Sequence, residues 1–501
     1  MKHRLALVSL LLAAFALRTV RLRTRPVWYD EAGTFLLADA GLEGILAGTV
    51  GAGTAAAEEH PVLYHALLWA WLQLLGASAF AARLLSVFSG LIVVGLAYRL
   101  AREVLRAERA ATAGAAFLAL APFQIHYAQE LRMYALLAMW LLAATWAYVR
   151  AVRGSGMRGW VVFGLLAALA QYTHTLASLY LVPLALTAVL LRRRRVIRNT
   201  VLAGLLALLL YVPWLFVLPR QLTKIGQGFW IGRPGASEFV RTLLVFTYNL
   251  PLPGGMAGLG LGLFVGLVAA LVSVRAVLGA ARSGSSAGRG ALWLLYLGLA
   301  PFGLMFIVSQ WFPVYVERAL LASSGMYLLG LAGGLFGAAL PRLPATITVA
   351  ALGIVATAGT FTYFTYAGFP YAPYDRLAEY LASDAVAGTV TVHSNKLTFL
   401  PTHFYNPANR QAFVADAPGS GDDTFAPETQ AVIGVRESDS VKDAVGDAER
   451  VLFVIFEDRA RAEYATAGAG EPPQLAWLDA HFQRRSATAF GEVAVLEYVR
   501  P

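Results

Sequence analysis

What most constrains this chain is a succession of apolar stretches, each about as long as a bilayer is thick, running from residue 5 to residue 364. About 20 apolar residues in a helix cross the hydrocarbon core, and the backbone there must satisfy its own hydrogen bonds. Such stretches fall at roughly 5–21, 79–98, 110–125, 133–150, 159–174, 176–191, 199–218, 256–274, 290–309, 319–338 and 345–364. With 58% of its 501 residues hydrophobic and only 14% charged, the chain reads as a polytopic α-helical membrane protein and not as a soluble globule.

A further apolar segment, residues 61–75, is shorter, opens on Pro61 and carries His65 and Gln73, so it reads as a helix lying along the interface. Basic loop residues test that choice, because short cytoplasmic loops collect Lys and Arg. With 61–75 left uncrossed, one side receives Lys2 and Arg4, the Arg99 to Arg109 loop, Arg150 with Arg153 and Arg158, Arg192 to Arg195, Arg275 to Arg289, and Arg342. If 61–75 crossed, the amino terminus and the Arg192 cluster would face opposite sides. Eleven spans follow, in the plasma membrane with the amino terminus cytoplasmic. The opening Lys2 to Leu22 lacks a small-residue cleavage pattern before Trp28 and reads as a retained helix.

Residues 367–501 change character. Strand-like runs at 388–393, 451–456 and 493–498 alternate with helical stretches from Asp375 to Ala385 and from Asp458 to Ala467. The reading is a membrane domain over 1–366 and a soluble, extracytoplasmic α/β domain over 367–501. The chain contains no cysteine, which excludes disulfides, thiol catalysis and iron–sulfur clusters. Its 40 basic against 30 acidic residues suit anionic lipid headgroups and not nucleic acid, since the excess lies between apolar segments.

This topology gathers polar groups on the outer face, where carboxylates beside hydrocarbon mark a substrate or ion path. Four patches stand out: Trp28-Tyr29-Asp30-Glu31; Glu59-His60-Pro61-Val62-Leu63-Tyr64; the stretch from Pro122 to Tyr134; and Tyr315-Val316-Glu317-Arg318. In the third, a helical start puts Glu130 and Tyr134 on one face. Blander roles stand beside these. Arg132 and Arg318 can pair with Glu130 and Glu317 or reach toward lipid phosphates, and Trp160, Trp214 and Trp293 read as interfacial belt residues. His60, His65, His126 and His174 fall near one face, but no HxxH or HxH spacing occurs, which argues against a metal cluster. His393, His403 and His481 read as structural or exposed.

Taken in order, Trp28-Tyr29-Asp30-Glu31, His60-Pro61-x-Leu63-Tyr64, Arg83, the Pro122 to Tyr134 stretch and Tyr172-Thr173-His174 resemble the GT-C superfamily of membrane glycosyltransferases. Within it the chain is most similar to the family 39 group that includes the protein O-mannosyltransferases and the aminoarabinose-transferase-like enzymes, over residues 1–340. Val62 stands where a second proline is common and Ala128 where serine is common, and neither change removes a charged group. The resemblance implies a GT-C-like fold of about eleven transmembrane helices plus an interfacial helix, with an outer catalytic loop over 22–78. It further implies inverting transfer of a sugar, mannose or a related hexose or pentose, from a polyprenyl-phosphate donor to a hydroxyl of a protein, glycolipid or polysaccharide.

In that reaction an alcohol needs a base, and Asp30 is the candidate. The leaving lipid phosphate gains charge that fixed cations stabilise, with Arg132 and Arg318 as candidates and Lys224 as a third. Glu31 and Glu130 are placed to orient the acceptor, to position an arginine or to hold a divalent ion such as Mg or Mn, and the sequence leaves these three open. His60, His126, Gln129, Tyr134 and His174 have the character of ligands for sugar hydroxyls. A transporter or flippase of a lipid-linked sugar is the rival reading. Against it, charged groups collect at one face and no interrupted segment repeats in corresponding halves.

Overall fold

The computed structural model describes residues 2–50, 60–220, 231–249, 256–282, 284–337, 342–384, 388–417, 420, 425–466, 468 and 470–501. In chain order the helices of the first half are α1 (Lys2–Thr19), α2 (Tyr29–Asp39), α3 (Gly41–Val50), α4 (Leu63–Leu75), α5 (Ala79–Leu105), α6 (Glu108–Leu120), α7 (Pro122–Gln129), α8 (Tyr134–Val152), α9 (Gly156–Thr173), α10 (Ser178–Leu190) and α11 (Arg194–Leu215). They are followed by α12 (Ala236–Val245), α13 (Met256–Arg282), α14 (Ser286–Val308), α15 (Leu321–Ala332), α16 (Arg342–Thr365), α17 (Tyr374–Ser383), α18 (Lys396–Tyr405), α19 (Pro427–Val432), α20 (Val441–Val445), α21 (Glu457–Thr466) and α22 (Pro473–His481). Six strands, β1 (Thr389–His393), β2 (Gln411–Val414), β3 (Glu437–Ser438), β4 (Arg450–Ile455), β5 (Gln483–Phe490) and β6 (Val493–Val499), form one sheet. The chain divides into two compact units, the first made of Met1–Leu22, His60–Ile225 and Ile231–Tyr366, the second including Arg23–Glu59 and Ala367–Pro501.

The first unit is a helix bundle. Each of the eleven apolar stretches contains a helix, and seven described helices are long and apolar enough to cross a membrane, within Ala79–Leu105, Tyr134–Val152, Arg194–Leu215, Gly260–Arg282, Ser286–Val308, Glu317–Gly337 and Leu343–Thr365. The protein is an integral membrane protein. α4, at 13 residues, reaches only about 20 Å against a core of about 30 Å. The span at Glu317–Gly337 is 94% buried inside the protein and that at Gly260–Arg282 only 22%, so α15 is the central helix and α13 lies at the periphery. Small residues let α15 sit so deep: a Cβ on Gly298 of α14 would fall 2.8 Å from the Tyr327 backbone, and one on Gly330 would fall 2.6 Å from the Leu295 side chain.

The stretch at 110–125 is not one helix, as the hydropathy had suggested. It breaks at Ala121, whose backbone is extended (ψ 122°), and restarts with Pro122 at the first position of α7. Proline lacks the N–H that would continue the ladder and disfavours the helical conformation of the residue before it. α7 then ends at Gln129, and Glu130 is extended (φ −80°, ψ 140°). Glu130 and Tyr134 therefore do not share a helical face; the i,i+4 pair in this stretch is His126 with Glu130.

Helix ends left open by these breaks are closed by side chains. Arg18, 1% exposed, donates from Nη1 to the carbonyls of Ala14 (3.2 Å) and Ala119 (3.0 Å) and from Nη2 to Leu118 (3.2 Å), placing its charge at the negative ends of α1 and α6. Gln129 Nε2 donates to the carbonyls of Val20 (2.8 Å) and Leu17 (3.4 Å) at the end of α1. Arg83 Nη1 donates to the Leu22 carbonyl (2.9 Å), and Ser86 Oγ donates to the Arg132 carbonyl (3.2 Å), fixing the 130–133 link against α5.

The second unit is a sheet with helices on both faces. Strand order is β3-β2-β1-β4-β6-β5, with β3, β2, β1 and β4 parallel and β6 antiparallel to both neighbours. Alternation along β4 explains the two cores: Val451, Phe453 and Ile455 pack with Val392, Leu475, Leu478 and Leu496 on one side, Leu452 and Val454 with Tyr374, Leu377, Leu381 and Val495 on the other. Residues 23–50 belong to this unit, so the outer loop drawn over 22–78 is not one piece. α2 packs on α18, with Phe35 edge-on to Phe404 at 4.9 Å, and α3 packs on α19, where Thr429 Oγ1 donates to the Gly48 carbonyl (3.1 Å). Arg25 lies 4.1 Å from the ring centroid of Tyr371.

Candidate active site

In the first unit, polar side chains meet where the 130–133 link, the heads of α8 and α15, and the α9–α10 link come together. Tyr134, at the start of α8, is the hub. The Arg318 guanidinium lies 5.3 Å from its ring centroid, the His174 ring 5.9 Å and the Tyr127 ring 5.5 Å. His174 ends α9 in an extended conformation and accepts through Nδ1 from the Leu176 N–H (3.2 Å), which leaves the proton of a neutral ring on Nε2. Its ring lies edge-on to His60 at 4.9 Å, and the charges of His60, Arg132 and Arg318 all reach it. Arg132 and Glu130 are 7% and 5% exposed.

A second layer abuts the first. His126 stacks on Tyr127 at 4.5 Å and against Tyr363 of α16 at 4.4 Å. Its Nε2 is 3.1 Å from Glu130 Oε1 and its Nδ1 3.3 Å from Asn249 Oδ1. Tyr127 in turn lies within electrostatic reach of Glu130, Arg318, Tyr134 and Glu317. Glu317 makes its ion pair with Arg241 of α12 at 2.9 Å, and not with the adjacent Arg318 as the sequence had allowed.

Of the residues singled out in the sequence, His60, His126, Glu130, Arg132, Tyr134, His174 and Arg318 are thus brought into one neighbourhood. Gln129 is turned toward the end of α1, where its amide is committed to backbone carbonyls. Asp30 and Glu31 occupy the first turn of α2 in the second unit, Asp30 half-buried and Glu31 buried, at a helix end that favours carboxylates. Lys224 lies outside the described residues. Among the described residues no three His, Asp or Glu side chains are grouped to hold a metal ion. Arg18, Asn249, Tyr363 and Arg241 were not foreseen; only a buried basic residue late in the first apolar stretch hinted at Arg18.

Two guanidinium groups, two imidazoles and several tyrosines in a mostly buried setting suit an anion carried with a hydroxyl-rich group. Arginine binds phosphate through paired donors, and low dielectric strengthens each contact.

The fold that carries this cluster is similar to the folds of ArnT and of an arabinofuranosyltransferase. Residues 59–216 match the dolichyl-phosphate-mannose-protein mannosyltransferase family, a stretch that holds His60, His126, Glu130, Arg132, Tyr134 and His174. ArnT from Cupriavidus metallidurans is similar in its apo state (16% identity, TM-score 0.52, 98% of this chain and 97% of that chain) and bound to undecaprenyl phosphate (14% identity, TM-score 0.50, the same coverage). The arabinofuranosyltransferase AftD from mycobacteria is similar over 99% of this chain and 40% of its own, with 14% identity and a TM-score of 0.55. No curated protein matches the sequence.

Proposed function

We propose that the chain is an inverting glycosyltransferase that moves a sugar, mannose or a related hexose or pentose, from a polyprenyl phosphate to an acceptor hydroxyl of a protein, glycolipid or polysaccharide. The observation that carries this reading is the approach of Arg318, from the head of the central helix, to Tyr134 and His174 beside Arg132. The undecaprenyl phosphate bound to ArnT supports a lipid-phosphate donor of the same kind here.

In the reaction the acceptor oxygen attacks the anomeric carbon from the side opposite the phosphate. The carbon–oxygen bond to phosphate breaks, the bonding pair leaves with the phosphate oxygen, and the acceptor proton passes to the Asp30 carboxylate. Arg132 and Arg318 stabilise the charge that grows on the leaving phosphate. His60, His174 and Tyr134 hold sugar hydroxyls, while Glu130 fixes His126 and through it the α7 end of the site.

The loop arginines support a cytoplasmic amino terminus and an extracytoplasmic 367–501 domain. A chain without native cysteine makes this testable: a cysteine replacing Asp458 should be labelled by a membrane-impermeant thiol reagent in intact cells, and one replacing Arg194 should not. For the chemistry, purified full-length protein given polyprenyl-phosphate-linked mannose and pentose donors with a mixed acceptor extract should turn over one of them, and Asp30→Asn should abolish that turnover. Unchanged turnover in Asp30→Asn would remove the base, and flux of lipid-linked sugar without covalent transfer would replace the enzyme with a flippase.

A further inference from the structure

We infer that Arg241 is a positioning residue for the donor phosphate, acting by neutralising Glu317 so that a phosphate beside Arg318 is less strongly repelled by the Glu317 carboxylate. The inference rests on the assignment of Arg318 to that phosphate. Glu317 and Arg318 are consecutive at the head of the central span and the charges of both reach Tyr127, so an anion seated there also meets the Glu317 charge. Two like charges a few ångströms apart repel strongly wherever water is partly excluded. Arg241 Nε lies 2.9 Å from Glu317 Oε1, which cancels much of that repulsion.

α12 is built to hold this arginine in place. The Gly235 N–H donates to Glu238 Oε2 (2.7 Å) and Ser237 Oγ donates to the same oxygen (2.9 Å), which fixes the first turn of the helix. Phe239 packs against Phe302 and Phe306 of α14, at 4.6 and 5.4 Å. Thr242, next to Arg241, shares a hydrogen bond with the Tyr315 hydroxyl, two residues before Glu317. Thr242 is fully buried and Tyr315 nearly so, and the two adjacent α12 residues grip the 315–317 segment through one neutral and one charged contact. A purely structural pin would need only the first.

The test measures affinity of the full-length protein for undecaprenyl phosphate, in lipid nanodiscs, for wild type, Arg241→Ala, Glu317→Gln and the double variant. Arg241→Ala should weaken binding about fivefold, the order of one partly exposed ion pair, and the effect should shrink as salt is raised. Glu317→Gln in the Arg241→Ala background should restore wild-type affinity, because the carboxylate that needed neutralising is gone. Unaltered binding in Arg241→Ala, or a double variant as weak as the single one, would overturn the inference and leave the Arg318 assignment standing. Wild-type protein that binds no polyprenyl phosphate at all would overturn both.

Discussion

The two units of this protein distribute charge differently. In the sheet-bearing unit, charged groups answer one another: Arg450 joins Asp384 (2.6 Å) and Glu497 (2.8 Å), Arg461 joins Glu457 (3.0 Å) and Glu471 (2.7 Å), and Lys396 meets Asp416 at 2.6 Å. In the helical unit, Arg132, Arg318, His60 and His174 bring positive or chargeable groups toward one another around a tyrosine, inside an apolar bundle. Matched pairs settle a fold. Cationic and chargeable groups gathered around a tyrosine in low dielectric make a setting that suits a ligand of opposite charge.

Breaking this contrast should show first at the cationic cluster. Arg318→Ala should lower donor turnover by about 100-fold or more, the usual size of a lost transition-state contact, while thermal unfolding of the purified protein stays near wild type. A variant equally active, or one that loses activity only in proportion to stability, would move Arg318 to the structural column.

Next in size is a pH effect confined to the other unit. Burial drives the imidazole of His393 down from 6.5 to about 3, and it is held neutral between Thr398 Oγ1 and Gln411 Oε1. Between these two values the unfolded chain takes up a proton that the folded one refuses, so the stability is complete above about pH 6.5 and falls as the solution is acidified toward pH 3. From pH 7 to pH 5 the loss is about 2 kcal/mol. Hydrogen exchange of peptides from 389–414 in the full chain, corrected for intrinsic rates, should quicken over that interval in wild type and much less in His393→Gln. Two carboxylates act in the same direction at lower pH. Burial of Glu457 is outweighed by Arg484 and Arg461, and the Ser486 hydroxyl with Arg450 holds Glu497 down, so both lie below their ordinary value. Their support is present above about pH 4.5 and lost on further acidification.

A smaller effect belongs to Gln129. Replacing it by alanine leaves two carbonyls at the end of α1 without their donor and should cost about 1–2 kcal/mol of stability, with KM for donor nearly unchanged; a large rise in KM would return Gln129 to the sugar-binding set. The smallest belongs to the exposed Arg459–Glu463 pair, 2.8 Å apart on α21. Arg459→Ala also removes its contact with the Phe369 ring, yet the change should stay below about 1 kcal/mol.

How much of this was legible beforehand follows from the length scale of each signal. Apolar stretches of membrane length carry their own evidence, and each contains a helix, although 110–125 is broken at Ala121. β1, β4 and β6 showed because they are apolar and central or beside the centre of the sheet. β5 did not, since Gln483 to Phe490 is a polar edge strand, and β2 and β3 are only four and two residues long. α2 and α3 read as loop because their partners, α18 and α19, lie more than 350 residues away in sequence. At the site, residue types pointed to His60, His126, Arg132, Tyr134, His174 and Arg318, whereas side-chain direction did not. The Pro122 break rotated Glu130 toward His126 and turned Gln129 away, a local backbone event that helical periodicity cannot anticipate. Asn249, with its left-handed backbone (φ 74°), and Arg241 act only through contacts made across the bundle.

The most direct measurement is an experimental density map of the full-length protein with undecaprenyl phosphate bound. The account predicts the phosphate in contact with the guanidinium groups of both Arg132 and Arg318, beside Tyr134 and His174. A phosphate seated elsewhere, with those two arginines turned to protein partners alone, would contradict it.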